Sequence, residues 1–171
     1  MKGIQFRPDM AQAIYEGRKT MTRRPLKPQP NEVIGITPTY GCLKEIKPKY
    51  KAGEVLYVKE EYSDYVPGCP LPVGVSYRAN HITESDGPTA IKWKPPMFMP
   101  EKYARSFIRI LSVRLDRVQD IGIKDERKEG INPWGKYSFQ DVWQEIYADK
   151  PDLQWSVNPY VWAYEFERVT P

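Results

Sequence analysis

Gly17-Arg18-Lys19-Thr20-Met21-Thr22-Arg23-Arg24 marks a change from helix to strand near the N-terminus. Upstream of it, Pro8 and Asp9 open a helix, because proline is tolerated in the first turn and an acid there suits the helix dipole. Met10, Ala13 and Ile14 recur at the spacing of one helical face. Gly17 supplies the left-handed stop. Before the helix, residues 2–6 alternate as a first strand. After the glycine, residues 19–24 read as an extended segment that Pro25 ends.

Residues 26–51 are rich in proline, lysine and glycine, with at most one brief strand at 33–36, and read as a surface excursion. A turn at 51–54 leads into Val55-Leu56-Tyr57-Val58, apolar on both faces and therefore expected inside its sheet. Residues 73–79 are a further strand candidate and residues 81–89 a polar loop. Trp93-Lys94-Pro95-Pro96-Met97-Phe98-Met99-Pro100 is irregular, since its prolines prevent ladder pairing. Residues 106–116 are the longest strand, with Phe107, Arg109, Leu111, Val113 and Leu115 opposing Ile108, Ile110 and polar residues. Residues 124–129 form a short charged helix closed by Gly130.

Ser138-Phe139-Gln140-Asp141 resembles a capping box with aspartate as the acid. Phe139, Val142, Trp143, Ile146 and Tyr147 follow at helical spacing. Asn158-Pro159 turns the chain into a closing strand at 160–169. The periodicity assigns Trp143 and Trp162 to the core; Trp93, set among lysines and prolines, reads as an exposed or ligand-facing aromatic. There is no internal repeat and no βαβ alternation. Residues 1–171 are expected to form one domain, an α+β fold built on a small mixed barrel with short helices and long loops.

A chain of 171 residues can close a hydrophobic core. Its net charge of +4 fits nucleic-acid or nucleotide contact without requiring it. Cys42 and Cys69 stand far apart with no CxxC partner, and His81 is the only histidine, so neither a structural zinc site nor a disulfide is expected. No P-loop, dinucleotide-binding glycine pattern or metal-ligand cluster occurs, so no cofactor and no metal are expected. No apolar run has membrane-spanning length and no signal-peptide core is visible, which points to the cytoplasm.

A threonine, a lysine and a carboxylate can together hydrolyse an amide: the hydroxyl attacks, a neutral amine takes its proton, and the acid moves protons. Thr22 and Lys19 offer the first two. In a regular strand, positions three apart point to opposite faces, so this pairing requires an irregular backbone after Gly17. The plainer alternative is a solvated basic edge in which Thr22 is an ordinary strand residue. A second alternative is nucleic-acid binding, with Arg18, Lys19, Arg23, Arg24 and Lys27 on phosphates and Trp93, Tyr77 or Tyr62 stacking on bases. Glu60, Glu61 and Glu129 are the acids to weigh, each equally readable as a salt-bridge or solvated residue.

The Gly17 to Arg24 run resembles the GxKxxExR signature of ASCH domains, which have a PUA-like β-barrel; Gly17, Lys19 and Arg24 match, and Thr22 replaces the glutamate. Gly53-Glu54-Val55-Leu56-Tyr57-Val58-Lys59-Glu60, the Trp93 to Pro100 stretch and Asn158-Pro159-Tyr160-Val161-Trp162 are similar to the larger ASCH-like proteins of phages and prophages. ASCH domains are generally RNA-binding, and a few look like ribonucleases, for which a usable histidine or metal site is missing here. One small branch comprises N4-acetylcytidine amidohydrolases, whose Gly-Arg-Lys-Thr-x-Thr run matches Gly17 to Thr22. The resemblance implies Thr22 as nucleophile, Lys19 as its base and Glu129 as proton relay, acting without metal on an acylated cytidine or related nucleoside. It implies Arg24, Glu60, Trp93 and Tyr77 as residues that hold the base or shape its pocket. RNA remains the alternative partner.

Overall fold

Gly17 adopts φ +78°, and the helix before it, α1 (Pro8–Tyr15), stops there as its sequence requires. The structure, a computed structural model, describes residues 1–29, 47–64, 74–80, 91–132 and 135–170. The strand expected at 33–36, the loop at 81–89, Cys42, Cys69 and His81 lie outside the described residues. Seven strands are described: β1 (Lys2–Gln5), β2 (Met21–Pro25), β3 (Val55–Lys59), β4 (Tyr62–Ser63), β5 (Ser76–Tyr77), β6 (Phe107–Arg117) and β7 (Tyr160–Val169). With α1 come two further helices, α2 (Ile123–Lys128) and α3 (Phe139–Tyr147). The strands form a five-stranded mixed sheet in the order β1-β3-β6-β7-β2 and a two-stranded ribbon of β4 and β5. The fold is thus of the mixed α+β kind. Among the described residues, no helix is long and apolar enough to cross a membrane.

The chain divides into two compact units, and β6 runs from the first into the second. The first comprises Met1–Lys19, Val55–Arg109 and Glu167–Pro171. In it β1 lies parallel to β3, with Lys2 opposite Leu56 and Gln5 opposite Lys59, while β3 runs antiparallel to the start of β6. β3 is therefore flanked on both sides, and Leu56, Tyr57 and Val58 are all buried, as two apolar faces require. Gly3 allows the close approach of β1: a Cβ there would sit 2.6 Å from Lys59 Cε and 2.8 Å from Tyr57 Cζ. The strand expected at 73–79 is reduced to Ser76–Tyr77, bracketed by Gly74 at φ +52° and a 3-10 turn at Arg78–Asn80.

The second unit comprises Thr20–Glu54 and Ile110–Phe166. Here β2 runs antiparallel to β7, Met21 opposite Glu165 and Pro25 opposite Val161, in an unbroken register. The capping box of α3 is complete: Asp141 N donates to Ser138 Oγ at 3.2 Å, and Ser138 N donates to Asp141 Oδ2 at 2.8 Å. Phe139, Trp143 and Tyr147 bury the helix, and the Trp143 indole donates to the Leu153 carbonyl at 2.7 Å. Ile146, expected on that stripe, is exposed, which narrows the buried face to positions four apart.

One expectation about faces is corrected, and a second face is decided. Trp162 is half-buried, and Val161 and Ala163 on either side are the core residues of β7, followed by Tyr164 and Phe166. Burial thus changes face between Ala163 and Tyr164, which a strict two-residue alternation does not anticipate. In β6 the buried side chains are Ile108 and Ile110, whereas Leu111 and Leu115 are exposed. Alternation defines two faces but not which of them meets the core.

Candidate active site

The segment leaving α1 is not a strand until Met21. Arg18 N and Lys19 N both donate to the Ala13 carbonyl, at 2.8 and 3.0 Å, so the backbone turns back on the helix end after Gly17. The regular strand that would set residues 19 and 22 on opposite faces is therefore absent at position 19. Thr20 N then donates to the Lys128 carbonyl at 2.7 Å, and the Thr20 carbonyl accepts from Phe166 N at 2.8 Å, anchoring the entry to β2.

Lys19 and Thr22 are each 4% exposed and Glu129 is 3% exposed. Arg23 is buried as well, while Arg18 projects outward to Glu16, Nε to Oε2 at 2.6 Å. The solvated basic edge is thus limited to Arg18 and Lys27, with Arg24 half-buried. Burying Lys19 and Arg23 requires compensation that a surface edge would not, and it removes both from any row of phosphate contacts.

Within the second unit, β2 places Met21 and Arg23 on one face and Thr22 and Arg24 on the other. Arg23 Nη1 lies 3.4 Å from Met21 Sδ, consistent with the shared face. The same guanidinium donates to Asp125 Oδ2 at 2.8 Å and to Glu129 Oε1 at 3.4 Å, with Asp116 Oδ2 at 3.6 Å and the Phe139 ring 5.9 Å beneath. Arg114 completes the cluster through Asp116, at 2.7 Å, and through Asp125. On the Thr22 face, Arg24 donates to the Tyr147 hydroxyl. Burial, the Glu129 charge adding to it against Arg24, pushes that hydroxyl above its ordinary pKa.

Asp125 titrates below the ordinary carboxylate range. Burial would raise it, but hydrogen bonds and charge from Arg23 and Arg114 outweigh that. A depressed folded-state pKa contributes stability that is present above the unfolded value and lost as pH falls through the folded one. Asp125→Asn is accordingly expected to lower Tm by a constant margin above about pH 5, and the margin should shrink below about pH 4. Thermal melts from pH 7 to pH 3 measure it; a margin that does not change with pH would remove Asp125 from the acid response.

Within the first unit, Glu60 and Tyr77 gather around Arg105, which sequence reasoning did not single out. Arg105 Nε and Nη2 each donate to one Glu60 oxygen at 2.8 Å, Nη1 donates to Asn80 Oδ1 at 2.9 Å and Nη2 to Gln12 Oε1 at 3.2 Å. Its plane lies 4.3 Å from the Tyr77 ring centre and 4.6 Å from that of Tyr15. Both Glu60 oxygens are thus engaged, and the Tyr77 hydroxyl donates to the Tyr103 carbonyl at 2.9 Å. Burial raises the Tyr77 pKa, the Glu60 charge adding to it against Arg105. Trp93 is half-buried, with the Arg78 guanidinium 5.5 Å from its ring. The hint of Arg105 was only an arginine just before the longest strand; its partners come from sequence distances of 25 to 93 residues.

Among the described residues, no group of three or more His, Cys, Asp or Glu is arranged to hold a metal ion. The carboxylates of Asp116, Asp125 and Glu129 converge on a guanidinium instead. What this arrangement offers chemically is a buried hydroxyl on β2, a buried amine just before it in the chain, and a buried carboxylate at the end of α2.

No family model matches the chain, and no curated protein matches it in sequence. Among solved structures it is similar to the crystal structure of protein EF3133 from Enterococcus faecalis V583, of family DUF984, with a TM-score of 0.51 at 15% identity. The likeness covers 99% of this chain and 80% of that one. At such identity it speaks for the mixed α+β fold alone.

Proposed function

We propose that this chain is a cytoplasmic amidohydrolase of the ASCH type, on a PUA-like barrel, that removes acyl groups from the exocyclic N4 amine of cytidine-type nucleosides. The observation that supports it is the burial of Lys19, Thr22 and Glu129, each less than 5% exposed, where a solvated edge or helix face would leave all three in water. Lys19 precedes Thr22 by three positions and takes the hydroxyl proton as Thr22 Oγ attacks the acyl carbon. The tetrahedral intermediate then breaks its C–N4 bond as Glu129 relays the proton held by Lys19 to the departing amine, and the acyl group stays on Thr22 as an ester. Water activated by the same groups hydrolyses that ester. Arg24 is the proposed contact to the base. Glu60 and Tyr77 enter as supports of Arg105, and Trp93 through its stacking with Arg78.

The test is conversion of N4-acetylcytidine to cytidine, followed by absorbance with purified protein and no added metal. Turnover is expected. Absence of turnover on free and RNA-borne acylated cytidine, together with RNA binding that weakens steeply with salt, would replace this reading with a non-catalytic ASCH module.

A further inference from the structure

β2 ends the five-stranded sheet, with β7 on one side of it and no strand on the other among the described residues. The bonds at its two ends fix which way its amides face. Leu26 N donates to the Tyr160 carbonyl at 3.0 Å, and Phe166 N donates to the Thr20 carbonyl at 2.8 Å. In the register that sets Thr22 opposite Tyr164 and Arg24 opposite Trp162, the even-numbered residues are therefore the hydrogen-bonded partners of β7. The amides of Met21 and Arg23 point the other way, off the open edge. Pro25 takes the next position of that outward series, where a missing N–H costs no ladder bond.

Only one of these two outward N–H groups is accessible. Met21 is 0% exposed, whereas Arg23 is 4% exposed although its side chain is 0% exposed, so what Arg23 exposes is main chain. No acceptor for the Arg23 N–H occurs among the described residues. An amide so nearly buried and yet unpaired is rare in a folded chain. It belongs to the peptide that joins Thr22 to Arg23, and it lies along the sheet edge, so the face taken by the Arg23 guanidinium has no bearing on it. The end of α2 meets the same edge: Thr20 N has left the ladder for the Lys128 carbonyl at 2.7 Å, and Glu129 is the next residue.

We propose that the Arg23 backbone N–H is the oxyanion donor of the acyl transfer. This rests on the reading of Thr22 as nucleophile. As Thr22 Oγ bonds to the acyl carbon, the carbonyl electron pair moves onto the acyl oxygen, which accepts from this N–H. When the C–N4 bond breaks, the pair returns and the ester carbonyl forms. An amide directly after the nucleophile is suited to this task, and one fixed between two ladder-bonded residues needs no reorganisation to perform it.

Exchanging the Thr22–Arg23 amide for an ester, by incorporating the α-hydroxy analogue of arginine at position 23, removes the N–H and keeps the guanidinium. In the folded ester, kcat for N4-acetylcytidine should fall by about 10²–10³-fold, with KM changed less than about threefold. The same exchange at Met21, the enclosed outward amide, should leave kcat within about threefold of wild type. Wild-type kcat in the Arg23 ester overturns the proposal, as does an equal loss in both esters.

A readout independent of turnover uses methylboronic acid, which bonds to a hydroxyl as a tetrahedral anion. In protein carrying isotope-labelled arginine, its addition should move the Arg23 amide proton downfield in nuclear magnetic resonance spectra, and in Thr22→Ala it should not. An unmoved Arg23 amide in the wild type overturns the proposal, as does a shift that persists in Thr22→Ala. If the wild type turns over no acylated cytidine, the proposed activity falls, and the boronate alone decides whether the Arg23 N–H receives an oxyanion formed at Thr22.

Discussion

Thr22→Ala is expected to abolish hydrolysis of N4-acetylcytidine, lowering kcat by at least about 10³-fold, because the hydroxyl that forms the acyl-enzyme is gone. The protein should remain folded. Position 22 sits within the β2 ladder opposite Tyr164, and alanine leaves the backbone pairing untouched. The missing methyl and hydroxyl should reduce stability by only ~1 kcal/mol. Lys19→Met, close in volume and without the amine, should show a comparable loss of kcat, and the double variant should be little worse than either. Such non-additivity is expected when two groups act in one step. Steady-state kinetics on circular-dichroism-verified variants provide the check. Undiminished turnover in Thr22→Ala would rule out the threonine ester, and losses that multiply would separate the two residues.

Arg105→Met should produce the largest loss of stability. It would leave Glu60, 1% exposed, without the guanidinium that engages both its oxygens, and would remove the layer between Tyr15 and Tyr77. Breaking a buried pair on one side costs about 3–5 kcal/mol. For a chain of 171 residues that corresponds to a fall in Tm of roughly 6–20 °C, at about 2–4 °C per kcal/mol. Adding Glu60→Gln to Arg105→Met should recover part of it, since the amide leaves no charge to strand in the interior. A Tm within about 2 °C of wild type in Arg105→Met would mean that water or a rearranged side chain already serves Glu60.

Arg105 is saturated by neighbours within the first unit, so its loss should appear in melting behaviour.

Local rules made much of the chain legible in advance. The Gly17 stop, the Gly130 stop at φ +81°, the Ser138–Asp141 capping box and the strands β1, β3, β6 and β7 follow from residues within a few positions of one another. Dihedral preference, helix-end hydrogen bonds and periodicity are short-range properties, and the sequence alone was enough for them. The proximity of Lys19 to Thr22 along the chain, and the chemistry that pair offers, were legible in the same way.

Only the tertiary structure decided which side of each element meets the core. Leu111 and Leu115 are exposed while Ile108 and Ile110 are buried, and Trp162 yields its core place to Val161 and Ala163. It also decided what the charged groups do: Arg23 and Lys19 are interior residues, and Arg105 collects Gln12, Glu60, Tyr77 and Asn80 from three separate stretches. Charge reads the same in a sequence whether it is solvated or paired. The difference lies in desolvation and in partners brought close by strand order, and neither leaves a local trace.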